Sequence, residues 1–333
     1  MVAMRQQDIA AMFGTPGAGI SAVLPEGGVE VFDLFCGAGG FSQGAVQAGH
    51  RVVFACDNDA SSIATHELNH QHGCEHRCAA LPLRDIPYPT DGRAFHLHGS
   101  PPCQKFSAAH GRAGGATDEE VAGGARLVRW FLKEAVVRSG CTSWSMEEVN
   151  SPDIRRILEK FRRKHLGVVD WDVFEFDLLG VPQSRVRILA GTPALIVRLR
   201  QLRSSERRRG VSSVIARPRG THMRGTSSTE LVRKKTERDP GEAKYVYRTA
   251  PLDYKSRPIS KPAHTICASK APGWFTKKPG KEAHKYRLFN TSELAALQTF
   301  PSDYEWPEGS IKALRQIGNA VPPLVAQLLM GGK

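Results

Sequence analysis

Short apolar runs alternate with glycine turns and helical periodicity over the first 190 or so residues. Val29-Glu30-Val31-Phe32-Asp33-Leu34-Phe35 reads as a strand running into the turn Cys36-Gly37-Ala38-Gly39-Gly40, with a helix from about Phe41. A second strand covers Arg51 to Cys56 and a helix follows it. Ala94 to His98 alternates as a third strand. A helix is expected from Asp118 to Arg138, with Leu127, Phe131, Leu132 and Ala135 on one face. Further strands are predicted over Thr142–Met146, Val168–Phe176 and Val186–Ala190. Strand and helix in regular succession predict an α/β fold built on a doubly wound sheet. After Pro193 the alternation stops, leaving Pro and Gly turns and the short run His264–Ala268. A helix resumes at Thr291, capped by Asn290 or Thr291, and closes at Phe300-Pro301. Leu324 to Met330 is a final apolar helix, and no internal repeat is present.

At 333 residues the chain has room for one large domain and a smaller one. The expected boundaries are a weakly ordered extension over 1–27, a catalytic domain over 28–192, a second domain over 193–285, and a segment over 286–333 that returns to the first. No apolar run approaches the length of a membrane span, and the start lacks a secretory pattern. Seven scattered cysteines point to a reducing compartment. The net charge of +13 favours a polyanionic partner. Twelve Lys and Arg lie between Arg198 and Lys235 against only Glu206 and Glu230. With no aromatic residue among them, a phosphate-tracking surface is expected rather than a stacking platform, the alternative being a solvated loop.

Three stretches carry candidate chemistry. The strand–glycine turn–helix at 29–41 is the layout that holds a nucleotide-like ligand, and Asp57, at the end of the next strand, is placed to hold a ribose. Asp85 is a third acid shortly before the next strand. Cys103 follows Pro101-Pro102 at a strand end, where the backbone cannot continue the ladder, so its thiol is presented on a stiff turn. Glu147 and Glu148 end another strand, and Arg185 and Arg187 share one face of the strand that follows. His66, His70, His72, Cys74, His76 and Cys78 lack the spacing of a zinc motif, so no metal is expected.

The order of these motifs resembles the DNA (cytosine-5-)-methyltransferase family from about residue 29 to 330. Phe32–Gly40 is similar to its first motif, and Pro102-Cys103-Gln104 with Phe106-Ser107 to its nucleophile motif. Glu147-Glu148-Val149 is similar to its Glu-Asn-Val motif, and Gln183-Ser184-Arg185-Val186-Arg187 to Gln-x-Arg-x-Arg. Leu297–Pro301 and Gly318–Pro323 resemble its last two. One departure is Glu148, which stands where the family has Asn and sets a second carboxylate beside Glu147.

The resemblance implies an S-adenosylmethionine-dependent methyltransferase fold, Rossmann-like, with a smaller, basic target-recognition domain. It implies methyl transfer to carbon 5 of cytosine in double-stranded DNA, through a flipped base and a covalent bond from Cys103 to carbon 6. Glu147, Arg185 and Arg187 would complete the catalytic set. The cofactor S-adenosyl-L-methionine, leaving as S-adenosyl-L-homocysteine, would lie on Phe35, Cys36, Gly37, Gly39, Gly40, Asp57, Asn58, Asp85, Ile86, Pro102, Asn319 and Val321. Contacts to DNA would come from Gln104, Ser107, Gln183, Arg217, Arg219, Arg224, Lys234, Lys235 and Thr265, the last opening a pair similar to the family's Thr-Leu. The implied protein is an intracellular, DNA-associated monomer, with a cognate restriction endonuclease left open. A transfer-RNA methyltransferase is less consistent with Gln104-Lys105 after Pro-Cys. A catalytically dead DNA-binding protein is less consistent with the full motif set.

Overall fold

The computed structural model describes residues 27–102, 118–215, 244–250, 253–268, 272–276 and 285–332. The chain begins with β1 (Glu30–Leu34), α1 (Gly40–Gln47), β2 (Arg51–Asp57) and α2 (Ala60–Asn69), then β3 (Glu75–Cys78) and β4 (Phe95–Gly99). Next come α3 (Asp118–Lys133), β5 (Ser143–Val149), α4 (Pro152–Lys164), β6 (Asp170–Glu175), the two-residue β7 (Gln183–Ser184), β8 (Val186–Gly191) and α5 (Pro193–Gln201). Strands β1 to β6 and β8 form one seven-stranded sheet in the order β3-β2-β1-β4-β5-β8-β6. All its pairings are parallel except the two made by β8. This is the doubly wound sheet that the alternation predicts.

Helices cover both faces, so the central strands are apolar on both sides. One layer packs Phe32, Leu34, Phe131, Trp144, Met146 and Leu158. The opposite layer packs Val31, Phe41, Leu189, Leu195, Leu199 and Val325. Local signals agree with these helices. Ser151 caps α4 by accepting from Ile154 N at 3.2 Å, Pro152 opens it, and Arg162, Arg163 and Lys164 end it. The expected helix at 118–138 is α only to Lys133, and its last five residues, Glu134–Arg138, form a π turn.

Beyond the sheet, β9 (Lys244–Ala250), β10 (Asp253–Pro258), β11 (Ala263–His264), β12 (Gly273–Thr276) and β13 (Lys285–Leu288) follow. Four of these make an antiparallel sheet, β10-β9-β12-β13, which no strong alternation announced. β11 pairs with β7 and ties this region to the strands beside β8. The chain ends in α6 (Thr291–Leu297), α7 (Ser310–Asn319) and α8 (Pro323–Leu329). Asn290 and Glu293 form a reciprocal capping box on α6, at 2.9 and 2.8 Å.

Two expectations change. α5 continues the alternation past residue 192, because Leu195, Ile196 and Leu199 pack in the main core. Four arginines in the first part of the basic stretch are engaged within the protein, while Arg207 and Arg209 are exposed. Arg200 pairs with Asp170 and Asp172, Arg203 with Asp172, and Arg208 with Asp177 and Glu175. Arg198 donates to the carbonyls of Leu328, Gly331 and Gly332. These four guanidiniums fasten the end of α5 and the chain beyond it to β6 and the C-terminus, so they do not form an open phosphate track. Arg217, Arg219, Arg224, Lys234 and Lys235 lie outside the described residues.

α8 lies directly on α1. A Cβ on Gly44 would meet Pro323 O at 2.2 Å and the Ala326 Cβ at 2.5 Å. Since Gly44 is helical, the constraint is close approach rather than backbone strain. Gly44→Ala should therefore cost about 1–3 kcal/mol of stability through overpacking. A chemical-denaturation midpoint unchanged from the wild type would show that the two helices separate at no cost.

Candidate active site

The chain order reverses between β1 and β4, and in such sheets a crevice opens beyond the carboxyl ends of the strands. Just after β1, Phe35 sits in the left-handed region at φ 59°, followed by the turn at Gly37 and Gly39, with φ 54° and 89°. β2 delivers Asp57 and Asn58, β4 delivers Ser100 to Pro102, and β5 delivers Glu147. Because β8 runs antiparallel, its beginning is at the same edge and brings Arg185 and Arg187 there. Gly318 to Val321, between α7 and α8, closes the other side. These groups line a single cavity of about 180 Å³. Cys103, Gln104 and Ser107 lie outside the described residues, but Pro102, the residue before the thiol, is on the cavity wall.

Asp57 shapes the turn. Its Oδ2 accepts from Gly37 N and its Oδ1 from Asp59 N, both at 2.9 Å. Burial raises its pKa above the usual carboxylate value. Each oxygen retains a lone pair for a ligand hydroxyl. Cys36 is buried under the turn, and a Cβ on Gly40 would come within 2.2 Å of Val321 O. Beneath it, Asp33 accepts from Ser42 Oγ at 2.7 Å, and burial pushes its pKa up to about 7.

Glu147 is 4% exposed and faces two guanidiniums: Arg187 Nε at 3.1 Å and Arg185 at 3.8 Å from Oε1. Arg185, 2% exposed, also donates to Gly318 O at 3.0 Å, so it links the β8 end to the C-terminal wall. A buried carboxylate between two cations is retained only when geometry and further hydrogen bonds offset desolvation. Glu148 points to the other face of β5 and is completely buried. It accepts from Val149 N at 2.9 Å, while its Oε1 has no partner among the described residues. Burial first, and Glu147 second, push its carboxyl well above the usual range.

Most of the expected cofactor residues line the cavity: Phe35, Cys36, Gly37, Asp57, Asn58, Pro102, Asn319 and Val321. Gly39 and Gly40 shape the turn behind it. Asp85 and Ile86 are not brought there. Asp85 is largely exposed and pairs with Arg77 at 3.1 Å, and Ile86 packs in the core. Gln183 is not a surface residue either. It is completely buried, accepting from Ile266 N at 2.8 Å and donating to Gln298 Oε1 at 2.5 Å. With both ends of the amide engaged inside the protein, it ties β7 to Ile266 and to Gln298. Thr265 donates to Ser184 O at 2.6 Å, part-buried at the same junction.

Ser100, Ser62, Asp59, Arg315 and Gln316 also line the cavity and carried no motif. Under β4, His98 stacks on Phe41 at 3.4 Å and bridges Ser145 and Ser100 Oγ at 2.8 and 3.0 Å. Burial, with the neighbouring His96 second, holds His98 well below the usual imidazole range, so this support is neutral. The alternation His-x-His in β4 was the only trace of it in the sequence.

A mostly parallel sheet with a glycine turn over one strand end and a Glu–Arg–Arg cluster over another is the layout of an enzyme with a nucleoside-bearing cofactor. The C-5 cytosine-specific DNA methylase family matches residues 29–129 and 146–331. The type II methyltransferase M.HgiDI of Herpetosiphon aurantiacus is 28% identical over 322 residues, covering 90% of this chain and 93% of that protein. The type II methylase M.HgiDII of the same organism is 26% identical over 349 residues, with 90% and 93% covered. The structure of the S. pombe Dnmt2 methyltransferase superposes with a TM-score of 0.61 at 16% identity, covering 90% of this chain and 96% of that one. The chain belongs to the C-5 cytosine-specific DNA methylase family and is a DNA (cytosine-5-)-methyltransferase that uses S-adenosylmethionine.

Glu148 gives a pH signature. As pH rises above the usual carboxylate range, the unfolded chain releases this proton while the folded chain keeps it. Wild-type stability therefore falls with pH, and Gln carries no such proton. Glu148→Gln should match the wild type near about pH 4 and become progressively more stable than it towards about pH 8. Parallel stability curves would show the carboxyl ionised in the fold.

Proposed function

We propose that this enzyme methylates carbon 5 of a cytosine flipped out of double-stranded DNA, through a covalent bond from Cys103 Sγ to carbon 6. The observation that carries the reading is the convergence of Pro102, Glu147, Arg185 and Arg187 on the cavity that the glycine turn and Asp57 also line. A base inside a duplex cannot enter such an enclosed site, which is why flipping is part of the reading.

Cys103, as thiolate, adds to carbon 6 and makes carbon 5 nucleophilic, while Glu147 exchanges a proton at ring N3. Arg185 and Arg187 orient Glu147 and offset the charge that develops on the ring. S-adenosylmethionine supplies the methyl group to carbon 5 and leaves as S-adenosylhomocysteine. The carbon 5 proton then passes to solvent, its electron pair re-forms the bond between carbons 5 and 6 as the sulfur–carbon 6 bond breaks, and Cys103 leaves as thiolate while the N3 proton returns to Glu147. Asp57 fits a ribose hydroxyl pair, the turn from Cys36 to Gly40 the methionine end, and Asn319 and Val321 the closing wall. The relatives named as type II methyltransferases support a place in a restriction–modification system, in the cell and on DNA, with an endonuclease of the same specificity as its counterpart. No helix among the described residues is long and apolar enough to cross a membrane.

Transfer of labelled methyl from S-adenosylmethionine to unmethylated duplex DNA tests this, the product being sequenced for 5-methylcytosine. Cys103→Ser should lose on the order of 10³-fold or more in rate while still binding DNA. Label on adenine, or equal rates from both proteins, would overturn the reading. Asp57→Ala removes charge-assisted hydrogen bonds, so KM for S-adenosylmethionine should rise about tenfold or more. An unchanged KM would place the ribose elsewhere.

A further inference from the structure

The fold assembles a group that the sequence spacing conceals. His66 is on α2, inside the protein, while Cys74 and His76 are two residues apart at the start of the edge strand β3. One ligand atom from each of His66, Cys74 and His76 lies within 4.8 Å of the other two, and His66 Nδ1 stands 2.9 Å from His76 Nε2. We propose that these three side chains form a binding site for a zinc-type divalent transition-metal ion, behind the glycine turn and apart from the catalytic cavity.

The donor set is two imidazoles and a thiolate, the set that selects zinc over hard cations. Tetrahedral bonds of about 2.0–2.3 Å put ligand atoms about 3.3–3.7 Å apart. The two ring nitrogens stand at 2.9 Å, so an ion would part them by about half an ångström. The outer shell of His66 is already in place. His66 Nε2 lies 2.9 Å from Ser42 Oγ, and Ser42 donates to Asp33 Oδ2 at 2.7 Å. Since the Ser42 hydroxyl gives its proton to Asp33, its oxygen accepts from His66 Nε2–H. That tautomer leaves the lone pair of His66 on Nδ1, facing His76 and Cys74. A histidine anchored through its far nitrogen to a hydroxyl and a carboxylate is the usual outer shell of a metal ligand. Cys74 and His76 are only partly buried, which leaves the group in reach of solvent. On binding, the ion takes the place of the Cys74 thiol proton, which passes to solvent.

The ligand His66 also touches the cofactor turn. A Cβ on Gly39 would lie 2.9 Å from His66 Cδ2 and 2.7 Å from Tyr304 Oη. Tyr304 in turn donates to Ala38 O. An ion on His66 would therefore stiffen the support behind the turn that Asp57 pins from the front.

Purified full-length protein should be stripped with a chelator and then titrated with Zn(II) and Co(II). One Co(II) per chain should bind, with the near-ultraviolet charge-transfer band of a thiolate ligand and the visible bands of a tetrahedral site. Cys74→Ser should lose the charge-transfer band, and His76→Gln should weaken Zn(II) binding at least tenfold, each protein remaining folded by circular dichroism. Cys78→Ser, a control on a neighbouring exposed thiol, should keep the band. Failure of the stripped wild type to bind a stoichiometric ion, or a band that persists in Cys74→Ser, would overturn the site and leave His66 and His76 as a hydrogen-bonded pair. Neither result depends on methyl transfer, so the proposal stands or falls apart from the reaction.

Discussion

The close contact between the first helix and the last holds this enzyme together as a functional unit. Gly40 and Gly44 expose bare backbone on α1, and Val321 O and Pro323 O occupy the space their side chains would fill. This contact joins parts of the chain about 280 residues apart. It carries Gly318 to Val321 to the edge where β1, β2 and β4 end. The cofactor turn and the C-terminal wall thus form one surface. Loop-closure entropy of that size is offset by burial in a core shared by Val31, Phe41, Val325 and Leu329.

Around that frame, charges are held by other charges and by backbone. Asp57 is tied to two amide hydrogens, Glu147 faces two guanidiniums, and Arg185 reaches across to Gly318 O. Such groups are expensive to bury, and their mutual satisfaction keeps the cavity polar without letting its walls collapse. Glu148 is the exception. It faces the apolar layer with one oxygen unmatched among the described residues, and a neutral carboxylic acid offers there one donor and one acceptor, much as an amide does. That resolves the departure from the family motif in chemical terms: the position keeps an amide-like group so long as the proton stays on.

The basic stretch divides by neighbourhood. Arg200, Arg203 and Arg208 of it meet Asp170, Asp172, Asp177 and Glu175, acids that lie at or just after β6, and fasten the chain from α5 onward to the main sheet. Net charge read along the chain could not separate these from arginines available to phosphate, because the acids that neutralise them lie about 30 residues earlier. The same holds for Gln183, whose motif position suggested a DNA contact and whose surroundings make it a brace.

The sequence by itself determined the doubly wound sheet, the glycine turn with Asp57, the Glu147 and Arg185–Arg187 strands, and the helix capped at Asn290. Each depends on local periodicity, on a turn residue or on short-range spacing, which the chain carries regardless of its partners. Tertiary structure alone decided what lies opposite what. It put α5 in the main core, drew Asp85 out to Arg77, and hid Gln183. It also brought His66 of a helix face to face with Cys74 and His76 of an edge strand. Those relations arise where separate elements pack, and no window along a single chain contains both sides of such a contact.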